Sequence, residues 1–184
     1  QQFLVQGLET QKIMECNTSA LCDLYEDEVE VVEPVFRSFG GSSSFCGSVV
    51  TVSCYESNGL IRSALSEDGT GKVLVIDAGG SVRRAVIDAD IACTAYDSGW
   101  EGLIVFGAVR EISSLRRTSV GIQALGSVPM GADEGNGGDT MENVRFGGVT
   151  FRPGMFVYAD ETGIVVSEKE LETDDSLGYE ETER

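Results

Sequence analysis

Histidine is missing from all 184 residues, and its absence excludes imidazole triads, His-ligated zinc and haem held by histidine. Any metal must therefore sit on oxygen ligands. The five cysteines, Cys16, Cys22, Cys46, Cys54 and Cys93, form an odd set without a CxxC pair. That spacing argues against a disulfide framework and against a thiolate zinc site, and predicts reduced, mostly buried thiols. No apolar run approaches the roughly 20 residues of a membrane helix, and the first residues lack the basic, apolar, small-residue order of a secretory signal. The expected location is the cytosol. Basic residues are scarce too: 13 Lys and Arg stand against 31 Asp and Glu, for a net charge of −18. Direct nucleic-acid binding would work against the phosphate charge, so a basic protein partner fits better.

What is present suits a globular protein with a proper core: 41% hydrophobic residues and a mean hydropathy of −0.02. The expected organisation is one domain with tails. Residues 1–16 read as an N-terminal extension, 17–167 as the folded body and 168–184 as an acidic C-terminal tail. The tail holds eight acidic and two basic residues, −6 of the −18, and reads as frayed. The body is acidic in its own right.

Periodicity predicts a short helix from a Thr18 or Ser19 cap through Asp27, with Leu21, Leu24 and Tyr25 facing a core. A Ser/Gly-rich loop over 38–44 precedes a β-type run from Phe45 to Tyr55, and a helix follows over Asn58 to Ser66. Val73 to Asp77 then reads as a strand ending in the turn Ala78-Gly79-Gly80-Ser81, followed by a helix over Ala85 to Ser98. A second strand, Leu103 to Phe106, ends in a second Gly-rich turn carrying Arg110 and Glu111. In a strand, helix, strand unit both strand C-termini open on one edge of a parallel sheet, where ligands usually bind. Gly80 and Gly107 would permit close approach to such a ligand. A short helix over 114–118, a Gly-rich loop over 131–139 and three late strands (Val149–Phe151, Phe156–Ala159, Ile164–Ser167) complete a mixed α/β pattern with more than one sheet. Cys93 falls on the inner face of its predicted helix and reads as packing.

Several segments together resemble the family of the regulator of ribonuclease activity A (RraA), to which metal-dependent 4-hydroxy-4-methyl-2-oxoglutarate aldolases also belong. They are Cys22–Asp27, Val32–Gly41, Gly79–Ala85, Trp100–Gly102, Gly107–Arg110, Gly121–Ala124, Phe146–Phe151 and Tyr158–Gly163. The likeness spans Thr18 to Ser167. It implies a swivelling α/β/β sandwich domain assembled as a homotrimer, sometimes as a dimer of trimers, with clefts between subunits. In the regulator branch, such proteins bind an RNase E-type endoribonuclease and its DEAD-box helicase and dampen RNA decay. In the aldolase branch, a divalent Mg²⁺ or Mn²⁺ and an arginine cleave the substrate to pyruvate and decarboxylate oxaloacetate. The family has also carried a menaquinone methyltransferase label, for which this sequence holds no cofactor motif.

The resemblance carries the aldolase arginine, which holds substrate, onto Arg110. The metal-ordering Asp falls on Glu111, a change that keeps the charge but adds a methylene where ligand geometry must hold to about half an ångström. The backbone amides of Gly80, Ser81, Val82 and Arg83 match the stretch lining the substrate carboxylates, a turn able to cradle an anion. Asp88 and Asp90 are weaker metal candidates and read more simply as helix-surface or capping residues. Arg83 and Arg84 place positive charge beside the first turn of an acidic protein, which suits capture of a dicarboxylate. The expected function is regulation of RNA decay, by inhibiting a ribonuclease through its basic segments. The alternative is a metal-dependent class II aldolase with a keto-acid pocket.

Overall fold

Strand alternation divides the core into two faces. In a computed structural model describing residues 16–172, Leu74 and Ile76 point into one apolar cluster, and Val73 and Val75, their alternating neighbours, into another. The strands are β1 (Val29–Val31), β2 (Arg37–Ser38), β3 (Phe45–Ser53), β4 (Lys72–Asp77), β5 (Ala85–Ile87) and β6 (Gly102–Val109). They continue with β7 (Gly121–Ser127), β8 (Asp139–Thr140), β9 (Val144–Phe146), β10 (Val149–Phe151), β11 (Phe156–Ala159) and β12 (Ile164–Ser167). The helices are α1 (Thr18–Leu24), α2 (Gly59–Leu65), α3 (Ala89–Asp97) and α4 (Ile112–Leu115). The large sheet runs β1-β12-β11-β3-β4-β6-β7-β2, with β5 beside β6 and β8 beside β3. Its centre, β3, β4, β6 and β7, is parallel, and β1, β12, β11 and β2 join antiparallel.

Helices α2 and α3 cover one face through Ile61, Leu65, Ile91, Ala92 and Ala95. The opposite face is covered by the two-stranded sheet of β9 and β10. Its Phe146 stacks on Phe106 of β6 at 5.0 Å between ring centroids and on Phe151 at 4.7 Å. Aromatic stacking of this kind adds to area burial and locks the small sheet to the large one. The result is a mixed α/β domain with more than one sheet, as the pattern of elements predicts. Among the described residues no helix is long and apolar enough to cross a membrane.

The strand, helix, strand unit is present as β4, α3 and β6, with Val73–Asp77 in parallel register with Gly102–Phe106. Two of its details differ from expectation. Ala85–Ile87 are not helical: β6 outruns β4, and its free upper edge is filled by β5, Ala85 facing Ala108 and Ile87 reaching Val109. The helix begins only at Ala89. The second Gly-rich segment is likewise no turn, because β6 continues through Gly107 to Val109. A Cβ on Gly107 would lie 2.7 Å from that of Ala78, and one on Gly80 would lie 3.1 Å from the Phe106 ring. Both glycines therefore admit neighbouring side chains of the protein itself.

Further differences have local causes. Helix α1 is capped by Asn17, whose side chain accepts from the Ala20 amide, instead of by Thr18 or Ser19. It stops at Leu24, which is 51% exposed. Strand β7, Gly121–Ser127, has one β-branched residue and so little local strand signal, and forms by pairing with β6. The short helix runs from Ile112 to Leu115, ahead of its expected place. Cys93 is exposed, whereas Cys16 and Cys54 are buried. Part of the segment expected to fray is held in place: Leu171 is buried, and its amide donates to the Tyr158 hydroxyl at 2.8 Å. The extension up to residue 15 and the tail from 173 lie outside the described residues.

Candidate functional site

The parallel strands end on one edge, and there β5 decides which side chains meet. The Arg110 amide donates to the Ile87 carbonyl at 3.0 Å, which sets Arg110 beside Asp88, the residue following Ile87. Asp88 is 7% exposed and caps α3 by accepting from the Ile91 amide at 2.9 Å. Its Oδ2 also faces two guanidiniums, Arg62 at 3.3 Å and Arg110 at 3.8 Å. Arg62 is steadied from behind by the buried Asn58, whose Oδ1 accepts from Nε at 3.3 Å. Asp88 is thus a capping residue, as its sequence position suggests, and an anchor for Arg110 as well. Asp90 lies in the first turn of α3 and outside this cluster.

Arg110 packs against the chain that returns across the edge. A Cβ on Gly131 would stand 2.7 Å from the Arg110 guanidinium carbon, so glycine is needed there for the arginine to lie flat. Arg110 Nη1 donates to the Pro129 carbonyl at 3.4 Å. Its Nε is buried without a hydrogen-bond partner, with Glu111 at ion-pair distance, 3.8 Å. Glu111 holds a left-handed backbone, φ 58°, a conformation costing a non-glycine residue about 1 kcal/mol or more.

The first Gly-rich turn forms as expected, with Gly79 at φ 69° and Gly80 at φ 72°. Three of the four cradle amides are already engaged: Gly80 with the Phe106 carbonyl at 3.0 Å, Ser81 with Ala78 at 3.4 Å, and Arg83 with the Ser81 hydroxyl at 3.3 Å. The donors that remain prominent are side chains. They converge on Glu56, which the sequence did not single out. Its Oε1 accepts from Ser81 Oγ and Arg83 Nε, both at 2.9 Å, and Arg84 Nε lies 4.0 Å from Oε2. The Arg83 and Ser81 hydrogen bonds hold the Glu56 carboxyl below the usual carboxylate range. Arg84 Nη1 meanwhile donates to the Gly131 carbonyl at 3.0 Å, so Arg84 and Arg110 meet at Gly131.

Four arginines thus gather at one edge around three carboxylates, Glu56, Asp88 and Glu111. With Asp77 and Asp133 on the adjoining segments the edge carries no net positive charge, and what suits an anion is the convergence of guanidinium donors. The edge does not suit a cation. Among the described residues no three His, Cys, Asp or Glu side chains group to hold a metal ion. Glu111 and Asp88, the carboxylates nearest Arg110, each already face its guanidinium. Among the described residues the donors do not fit bound Mg²⁺ or Mn²⁺. Close by, Cys54, Tyr55, Asp77 and Gly79 line a cleft of about 380 Å³. Burial, and then the Asp77 charge, push the Cys54 thiol up to about 11, which leaves it protonated and a poor nucleophile near neutral pH.

The opposite character is found along β1 and β12, at the far edge of the sheet. Six acids between Asp23 and Glu33 and four between Glu161 and Glu172 are exposed there, brought together by the pairing of Val29 with Ser167.

The sequence and the fold both match known proteins. The sequence model of a family described as RraA-like (Aldolase/RraA) matches residues 18–166. A Thermus thermophilis structure named the RNA-processing inhibitor RraA is 38% identical, with a TM-score of 0.80 over 83% of this chain and 93% of that one. A Geobacillus kaustophilus structure, named S-adenosylmethionine: 2-dimethylmenaquinone methyltransferase, is 37% identical, with a TM-score of 0.82 over 84% and 96%. Streptomyces coelicolor RraAS2, named an unusual member of the RNase ES inhibitor RraA family, shares the fold at 22% identity and a TM-score of 0.66, over 85% of this chain and 80% of that one. A match of this extent over the whole described body makes the chain a member of the RraA-like family.

Proposed function

We propose that the protein is a cytoplasmic regulator of RNA processing that binds and inhibits an RNase E-type endoribonuclease, or its associated DEAD-box helicase, through basic segments of that partner. The observation that carries this reading is the acidic edge formed by β1 and β12. Among the described residues only one of its carboxylates, Glu168, is ion-paired, with Arg152. The others retain their charge for a partner, and complementary charge speeds encounter and sets register. The 38% identity with a protein named an RNA-processing inhibitor supports the same reading. The subunits would assemble as a homotrimer, or as a dimer of trimers. The test is cleavage of a structured RNA by the purified endoribonuclease with its basic segments intact. Added protein lowers the rate, and the effect fades as salt rises. Absence of binding at low ionic strength would remove the proposal.

A second reading has its own observation in the orphaned Arg110 Nε. It is a keto-acid pocket in which Arg110 and the 80–83 turn hold the carboxylates, as in a divalent-metal-dependent class II aldolase cleaving 4-hydroxy-4-methyl-2-oxoglutarate and decarboxylating oxaloacetate. Arg110 and Arg84, meeting at Gly131, supply the anion-binding half. The proposed ligand for Mg²⁺ or Mn²⁺, Glu111, lacks companions in one subunit, so no chemical step is assigned to it. Pyruvate release with Mg²⁺ or Mn²⁺, and its loss in Arg110→Ala, is the measurement that would promote this reading above the first.

A further inference from the structure

Glu56 is a carboxylate of the arginine edge that neither reading employs. Its backbone is left-handed, φ 49°, and is pinned from outside: the Asp133 amide donates to its carbonyl at 2.9 Å, and Ser57 bridges to Asp133. The fold therefore holds a non-glycine residue where glycine would be easier. From there the side chain reaches the donors that the turn has left over. Oε1 accepts from Ser81 Oγ and Arg83 Nε at 2.9 Å, and Arg83 Nη2 lies at 2.7 Å. The Glu56 side chain is 17% exposed and that of Arg83 is 73% exposed, so the carboxylate lies innermost and the guanidinium covers it. Arg84 closes the arrangement, reaching towards Glu56 with one nitrogen and to the Gly131 carbonyl with another. Arg110 stands at the same glycine.

We infer that Glu56 is a built-in competitor for the anion site. Its carboxylate occupies the Ser81 and Arg83 donors in the free protein, with Arg84 at ion-pair distance, and an anion entering beside Arg110 must displace it to use them. The exchange replaces one carboxylate by another, so a single carboxylate gains little from it. A dicarboxylate gains a second pairing at Arg110 and overcomes the competitor, which makes Glu56 a specificity residue against singly charged anions. This inference rests on the keto-acid reading of the edge as an anion site. It concerns binding alone and requires neither turnover nor the RNA-processing partner.

The experiment is calorimetric titration of the full chain with malonate and with acetate, in wild type, Glu56→Gln and Glu56→Gly. Glutamine keeps the size and an acceptor for Ser81 while removing the charge, and glycine suits the left-handed backbone. Thermal melts establish that each variant is folded. Malonate should bind both variants about tenfold or more tightly than wild type, and acetate should gain more than malonate. Unchanged or weakened binding in both variants would overturn the inference and make Glu56 a clamp that shapes the turn. If malonate binds all three proteins equally and only Arg110→Ala abolishes binding, the anion site stands and the competitor falls. If malonate binds none of them, both fall together.

Discussion

Along β1 and β12 the carboxylates face water and, among the described residues, all but Glu168 lack an ion-pair partner. At the ends of β4 and β6, by contrast, Glu56, Asp88 and Glu111 each face an arginine. The acids of the acidic edge lie mostly in the turns and loops that flank β1 and β12, with Asp23 on α1 and Glu30 on β1, and none of them has a positive φ. The arginine edge contains Glu56 and Glu111, both left-handed, and a buried guanidinium nitrogen without a hydrogen bond. The difference teaches that charge in this molecule serves two ends. One region presents charge to solvent at long range. The other fixes charge at short range, at a cost in backbone strain, which is how binding sites are commonly constructed.

Removing one carboxylate from each region should have very unequal effects. Asp88→Ala should cost about 2 kcal/mol in urea unfolding, through the lost cap of α3 and the lost carboxylate partner of Arg62 and Arg110, of which Arg110 keeps Glu111. Glu28→Ala on the acidic edge should stay within about 0.5 kcal/mol of wild type. Equal losses would mean that the two edges are not built differently. Reversing charge at Glu26, Asp27, Glu28 and Glu30 together should weaken partner binding about tenfold or more while leaving the melting temperature nearly unchanged, measured by co-precipitation at several salt concentrations.

The pH dependence of stability gives an intermediate effect with a defined sign. Burial pushes the Tyr158 hydroxyl up to about 12, as it pushes the Cys54 thiol to about 11. Groups with raised folded values contribute fully below their unfolded values, 9.0 and 10.0, and lose that contribution as pH rises through 11 and 12. Denaturant titrations should therefore show stability falling above pH 9, with a shallower fall in Cys54→Ala. At the acid end, the lowered Glu56 carboxyl contributes above the ordinary value of 4.5 and ceases to contribute as pH falls through its folded value. Glu56→Gln should flatten that acid limb.

Smaller effects test the strain. Glu111→Gly should stabilise the fold by about 0.5–1 kcal/mol, because glycine adopts φ 58° freely and the side chain makes no capping hydrogen bond. A loss of stability would instead mean that its contact with Arg110 outweighs the strain. Smallest of all, alkylation of the exposed Cys93 at neutral pH should leave the unfolding midpoint unchanged, while Cys54 stays unmodified until the protein unfolds.

The positions along the chain show where sequence reasoning had purchase. Val149–Phe151, Phe156–Ala159 and Ile164–Ser167 were legible to the residue, because β-branched and aromatic side chains alternate between glycine-bearing turns. Arg110 and the Gly79-Gly80 turn were legible from their place at strand ends and from the family resemblance. Glu56 was not, because nothing within its own segment distinguishes it from any other acidic loop residue. Asp88 was legible as a cap, since capping is a local pattern, but its contacts with Arg62 and Arg110 join residues 26 and 22 positions apart.

By itself, then, the sequence determined the excess of acid, the exclusion of histidine chemistry, the mixed α/β class and the strand ends on which Arg110 and the turn lie. These follow from composition and short-range periodicity, which act within a few residues. Only the tertiary structure decided that Ala85–Ile87 would leave the helix to fill the free edge of β6, and so draw Asp88 up to Arg110. It alone decided that Glu56 would fold back onto Ser81 and Arg83. An unpaired strand edge and an unsatisfied guanidinium are demands that arise only once distant segments have been packed side by side.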